Sequence, residues 1–242
     1  MLDTYLTATQ NLLQNPSAPT DLYDTATLTT YINQARTWLA GDSQAIKVLG
    51  TFSLTAGTQG PYPFSGITLT GATGVAGVLN VRQLWYVVGS GQLWFRGRAW
   101  PWFTTYFMNS AAPGSGPPKA WAQYGEGENG TLYVGPSPDT GYTINADCVC
   151  YPDALALDSD PEAIPAPWTV AVPYFAAYLA LLSAQTGARV QDAQRMLELY
   201  TQFTSGARRQ STPEIMSGNF PQQQSPVRQN QLGISGSGGG AG

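Results

Sequence analysis

The sequence contains no histidine. That single absence excludes a Ser-His-Asp triad, a histidine zinc site and an imidazole general base. Cysteine is almost absent, with only Cys148 and Cys150. At i and i+2 on a strand the two face the same way, in a geometry that suits a disulfide poorly. Two thiols without histidine do not complete a structural zinc site either. We read them as small, half-buried hydrophobes in a chain that folds in a reducing compartment. Charge is scarce: 11% of the residues are charged, against about 25% in an ordinary soluble domain. No apolar run approaches the ~20 residues that cross a bilayer. The N-terminus is acidic and mixed rather than basic and then apolar, so neither a membrane span nor a secretory signal is expected.

What the chain does contain is glycine, proline and large aromatics. Gly and Pro occupy 27 and 18 of the 242 positions, and 12% of the residues are aromatic. The length allows one or two domains with a core of useful size. The net charge of −4 is uneven. Residues 1–206 hold eight Lys/Arg and fourteen Asp/Glu, giving −6, whereas residues 207–242 hold Arg208, Arg209 and Arg228 against Glu214, giving +2. An acidic body of this kind is not built to grip nucleic acid, which calls for a basic face. Its sign suits a wall along which DNA slides without sticking.

Four segments follow from periodicity and punctuation. In residues 1–44, Leu2, Tyr5, Leu6, Thr9, Leu12 and Leu13 repeat at the helical period, and Asn15-Pro16 ends the run. Leu28, Tyr31, Ile32, Ala35, Trp38 and Leu39 predict a second helix, with Asp24 or Thr25 as N-cap and Gly41 as stop. Residues 45–151 predict an antiparallel β domain of six or seven strands. Its clearest elements are a strand at 78–88 turned by Gly89-Ser90-Gly91, a hairpin pairing 120–124 with 131–134, and a strand at 142–151. A short helix over 100–108, with Pro101 in its first turn, fits between the hairpins.

Residues 152–206 predict a proline- and acid-rich connector and two more helices. The first of these, 168–183, is apolar nearly all round, with Pro167 at its start and Pro173 inside. A helix of that kind is a central bundle helix or a subunit contact. Gly187 is its expected stop. The last helix carries Ala193, Met196, Leu197, Tyr200 and Phe203 on one face, and Gly206 is its expected stop. In residues 207–242, Gln, Gly, Ser and Pro make up 21 of 36 positions, too polar to offset the ordering entropy, so a flexible tail is expected. The fold class expected is α+β: a helical bundle formed by both chain ends, an inserted antiparallel β domain and an extended C-terminal tail.

The candidates for chemistry are weak. Asp158, Asp160 and Glu162 alternate as calcium ligands do, but the glycine and the late glutamate of a helical calcium loop are missing. A solvated acidic loop is the better reading. Glu126 and Glu128 are the only close glutamates that could form a glycosidase pair, yet they sit in a glycine turn with nothing to raise one pKa. Gly71 to Gly77 lacks the lysine and the helix of a phosphate loop and reads as a β connection. Trp85, Trp94, Trp100, Trp102 and Trp121, with Tyr86, Phe95, Phe103, Tyr106 and Phe107, interleave with Arg82, Arg96 and Arg98. That mixture suits a nucleic-acid or sugar platform, but core and subunit contacts use the same residues and are preferred. No cofactor, metal or catalytic residue is expected.

Read together, the helix-β-helix order, the connector and the tail resemble the head-to-tail adaptor (connector, or upper tail-tube) proteins of tailed bacteriophages, especially short-tailed ones. Leu28 to Leu39 is similar to the early adaptor helix. Asp160-Pro161-Glu162-Ala163-Ile164-Pro165-Ala166-Pro167-Trp168, running into Val172 to Leu182, is similar to the acidic-proline lead-in to the family's central helix. The resemblance implies a structural virion protein at the head–tail junction, assembled in the host cytoplasm, and no enzyme. It implies a homo-oligomeric ring, typically of twelve copies, that docks under the portal protein, continues the DNA channel used in ejection and carries the next tail (nozzle or tube) protein. DNA would pass without sequence-specific binding, and no membrane is involved. Arg208, Arg209, Phe220 and Arg228 would anchor the tail on the portal. Trp168, Tyr174, Phe175, Tyr178 and Leu182 would pack the bundle or the subunits. The alternatives are a virion-associated cell-wall glycosidase and a carbohydrate-binding β module.

Overall fold

A computed structural model describes residues 1–15, 22–109, 114–183 and 189–211. Its class is α+β, with helices and mainly antiparallel sheets.

Helix α1, Leu2–Leu13, buries Leu2, Tyr5, Leu6, Thr9 and Leu13, the stripe that the 3.6-residue period demands. Gln14 closes it in the left-handed conformation, and the Asn15 carboxamide oxygen then accepts the Leu22 and Tyr23 N–H groups. Helix α2, Thr25–Ser43, starts at Asp24, whose carboxylate accepts the Thr27 N–H at 2.6 Å. The stop expected at Gly41 falls two residues later. Ser43 is buried and its carbonyl accepts the Ser211 hydroxyl of α5, so tertiary contact carries the helix past the glycine.

Among the described residues the β region has nine strands rather than six or seven. The additional ones are two-residue strands, too short for any period to register. One sheet runs in the order β3 (Thr68–Leu69), β1 (Lys47–Leu54), β9 (Tyr142–Pro152), β4 (Val75–Val88), β5 (Gly91–Trp94). The other runs β2 (Tyr62–Pro63), β8 (Thr131–Gly135), β7 (Ala120–Tyr124), β6 (Arg96–Gly97). Pairing is antiparallel except between β6 and β7. The β4–β5 turn is Gly89-Ser90, with Gly89 at φ 59°, as a two-residue hairpin with glycine first requires. The register of β4 against β9 shifts three times. At the third shift the Val81 N–H donates to Gln123 Oε1 on the other sheet, so a backbone donor next to an irregular register keeps a partner. Phe52, Leu84, Ile144 and Cys148 from the first sheet share a core with Leu132, Val134 and Trp121 from the second. Between β6 and β7, helix α3, Trp100–Phe103, opens with Pro101 and widens into a π turn over Thr104–Met108.

A single 3₁₀ turn, Ala166–Trp168, precedes α4, Ala171–Ser183. Pro173 lies in the first turn of α4, where its missing N–H breaks nothing. Residues 166–183 have a mean hydropathy of 1.3 and the length of a membrane span. In the fold this stretch is divided between the turn and α4, and α4 packs on α1, α2 and α5. Helix α5, Val190–Ser211, does not stop at Gly206. Its buried stripe continues through Tyr200, Thr204 and Ala207, and Ser211 donates to the Ser43 carbonyl. That packing outweighs the ~1 kcal/mol cost of a helical glycine. Gly187 lies outside the described residues.

Candidate interaction surfaces

The connector is tied to both N-terminal helices by side-chain hydrogen bonds. Arg36 on α2 is fully buried, and its guanidinium meets Glu162 in a two-pronged pair: Nη2 to Oε1 at 2.8 Å and Nε to Oε2 at 3.0 Å. Nη1 donates to Asp153 O at 2.6 Å and to Asn33 Oδ1. Asn33 in turn exchanges two hydrogen bonds with the Leu155 backbone. Tyr5 of α1 donates its hydroxyl to Glu162 Oε2 at 2.8 Å. Burial, and then the Glu162 charge, push the Tyr5 phenol far above its ordinary value, so it stays a donor. Helices α1 and α2 thus both grip one carboxylate of the connector.

The other connector acids are spent separately. Asp158 takes the Met1 amino group and the Asp3 N–H. Asp160 accepts the Ala156 and Leu157 N–H groups at 2.7 and 2.8 Å. Among the described residues no cluster of three or more acidic or cysteine ligands could hold a metal. Asp158 is held below the ordinary 3.8 chiefly by its hydrogen bond from the Met1 amino group, Asp160 by the Leu157 N–H and Asp24 by the Thr27 N–H. A carboxyl depressed on folding contributes stability that is complete above its unfolded value and lost as pH falls through the folded one. The melting temperature is therefore expected to drop as pH falls below 3.8. Asp158→Asn and Asp160→Asn should flatten that acid limb, as read by circular dichroism melts across pH; an unchanged limb would remove these groups from the account.

The remaining candidates resolve by position. Glu126 and Glu128 are exposed on the β7–β8 turn, Glu128 within the 3₁₀ turn Gly127–Asn129. Cys148 and Cys150 are free and wholly buried rather than half-buried, and burial pushes both thiols up to about 12. Gly74, within the glycine-rich stretch, lies against the connector and accepts the Asp153 N–H through its carbonyl.

The aromatics divide between core and surface. Trp121, Tyr86, Phe95 and Phe103 are buried. Trp85 and Trp94 face each other across β4 and β5 at 4.8 Å, and Trp100 packs on Tyr133 at 4.6 Å. Trp94 and Tyr106 stay 52% and 60% exposed. A cleft of about 800 Å³ opens where the end of β4 meets β6, lined by Trp94, Leu93, Arg96, Arg98, Trp102 and Lys119. Arg98 lies over the Trp102 ring at 4.7 Å. Interleaving of arginine with tryptophan was the sequence signal for this cleft. Lys119 and the walls contributed by Pro117 and Pro118 carried no such signal.

On the helical side, Phe175 is buried against Tyr200 at 4.6 Å and reaches Trp38 and Tyr178. Trp168, Tyr174 and Tyr178 are partly buried against the core, and Tyr174 stacks on Phe203 at 5.5 Å. Leu182 and Val170 are about half exposed. Arg208 and Arg209 occupy the exposed face of the last turn of α5, within helix rather than in a flexible tail. Phe220 and Arg228 lie outside the described residues.

Helices at both chain ends, two β-sheets, a braced connector and exposed aromatic side chains are thus on one chain, with no metal-holding cluster among the described residues. The chain matches the family model described as SU10 adaptor protein over residues 2–229. It belongs to that family, and is a structural head–tail adaptor of tailed bacteriophages, placed in the virion at the junction of head and tail. No individual curated protein matches the chain.

Proposed function

We propose that this chain assembles into a ring, of twelve copies, that docks beneath the portal ring, continues the DNA channel and presents a platform to the next tail protein. The observation that carries this reading is the adaptor-family match across 2–229, which spans helices, β region and part of the segment beyond α5. The four long helices act as one bundle built from both chain ends, and the half-exposed Val170 and Leu182 on and beside α4 are suited to subunit contact. The excess negative charge of residues 1–206 suits a channel wall that DNA passes without binding.

The segment after Ser211, with Arg208 and Arg209 at its root and Phe220 and Arg228 along it, is the portal anchor. Its polar composition favours ordering upon a partner. Mixing the full chain with portal rings of the same phage should yield a complex near one adaptor per portal subunit, read by mass measurement. A chain ending at Ser211 should keep its melting temperature, since Ala207 and the Ser211 contacts are retained, but lose portal binding. Portal binding at full strength by that truncated chain would sink the anchor; a full-length chain that ignores portal would sink the ring.

A further inference from the structure

The cleft between β4 and β6 concentrates positive charge on an otherwise acidic protein. Arg96, Arg98 and Lys119 are exposed there. Among the described residues no carboxylate makes an ion pair with any of them. Asp139, beside the cleft, is engaged by the Tyr142 hydroxyl at 2.6 Å. Exposed Leu93 and Trp94 form an apolar flank. Cations interleaved with tryptophan beside exposed apolar surface are the composition of a protein contact with a complementary acidic partner.

A fitting partner exists on the chain itself. The β7–β8 turn carries Glu126 and Glu128, exposed and without an ion pair among the described residues. The turn is braced: Gln123 Nε2 donates to Gly125 O at 2.8 Å, the Gly130 N–H to Gly127 O at 2.9 Å, and Thr131 Oγ1 to Tyr124 O at 3.1 Å. It therefore presents its two carboxylates with little ordering cost. It does not serve its own cleft. The turn borders Ala76, Gly77 and Val78 at the start of β4, whereas the cleft borders Tyr86 and Val88 at its end. Strand β7 joins the two, with Lys119 just before its first residue and the turn just after its last, roughly 20 Å apart.

Complementary patches at the two ends of β7, not paired with each other within the subunit, define a heterologous contact, the kind that closes rings. We infer that the Glu126/Glu128 turn of one copy seats in the Arg96/Arg98/Lys119 cleft of the next. This rests on the ring reading above and names the contact that sets the subunit order. A free acidic peptide or single-stranded DNA in the cleft is the competing occupant.

The test uses the full chain with portal rings. Arg96→Glu with Arg98→Glu should lower ring assembly roughly a hundredfold by placing like charges together. Glu126→Lys with Glu128→Lys should do the same, and all four changes in one chain should restore assembly. As a second readout, Arg98→Cys and Glu126→Cys in one chain should oxidise to a ladder of covalent multimers. Either change alone should give no ladder, since the native thiols are buried. Normal ring assembly by both reversal variants, with no ladder from the double-cysteine chain, would overturn this contact and leave the ring reading intact. So would cleft variants that assemble normally but lose single-stranded DNA. A wild-type chain that forms no ring on portal overturns both.

Discussion

Glu162→Ala is expected to remove about 3–5 kcal/mol of folding stability, because it strands a buried guanidinium. Arg36 has no exposed surface, and without Glu162 it keeps, among the described residues, Asp153 O and Asn33 Oδ1 as acceptors. Tyr5 and the Ile164 N–H lose the same carboxylate. Against a total of about 5–15 kcal/mol, that is a large share. At about 2–4 °C per kcal/mol for a chain of this size, the melting temperature should fall by roughly 10 °C. Glu162→Gln should cost less, since it keeps the volume and one acceptor. Arg36→Met combined with Glu162→Leu should recover part of the loss, because an apolar pair of similar size avoids the desolvation of two ions. Urea titration of the four chains would measure this; a loss below about 1 kcal/mol for Glu162→Ala would mean that water solvates the stranded guanidinium.

Gly74→Ala comes next in expected size. Gly74 has φ 68°, and an added Cβ would overlap Pro161 O and sit 3.1 Å from its carbonyl carbon. The left-handed backbone costs about 1–2 kcal/mol for alanine. Overlap with a backbone atom adds about 1–3 kcal/mol, because the connector must shift to relieve it. The expected total is about 2–5 kcal/mol. Gly71 is the internal control: its φ is 67°, but nothing lies within 4 Å of the added Cβ. Gly71→Ala should therefore cost only the backbone part, about 1–2 kcal/mol. Equal losses at both positions would show that the connector yields freely at Gly74. Glu162 and Gly74 thus mark the two sides of one strap: the first ties the connector to α1 and α2, the second lays it against the β region.

Much of the local structure was legible because it is local. The stripe Leu2, Tyr5, Leu6, Leu13 needs only the helical period, and Asp24 needs only the N–H groups that follow it. The Gly89-Ser90 hairpin was legible for the same reason. The exposed position of Glu126 and Glu128 followed from the glycines around them. Helix ends were less legible. Gly41 and Gly206 read as stops by propensity, yet both helices run on, since Ser43 and Ser211 meet each other across the fold and Ala207 is buried. The two-residue strands left no pattern, because their pairing is decided by the neighbours they meet.

The sequence by itself determined the chemical limits of this protein: no imidazole, two inert thiols, few charges, helices at both ends of a β region, and the layout of a head–tail adaptor. Those properties are written in residue types and in spacings of two to four positions. Only the tertiary structure decided what Glu162 does, which tryptophans are core, and where Arg96, Arg98 and Lys119 gather. Glu162 meets Arg36 across 126 positions of sequence, and the cleft collects residues from β4, β5, β6 and the approach to β7. Contacts of that range depend on how sheets and helices stack, which no local period encodes.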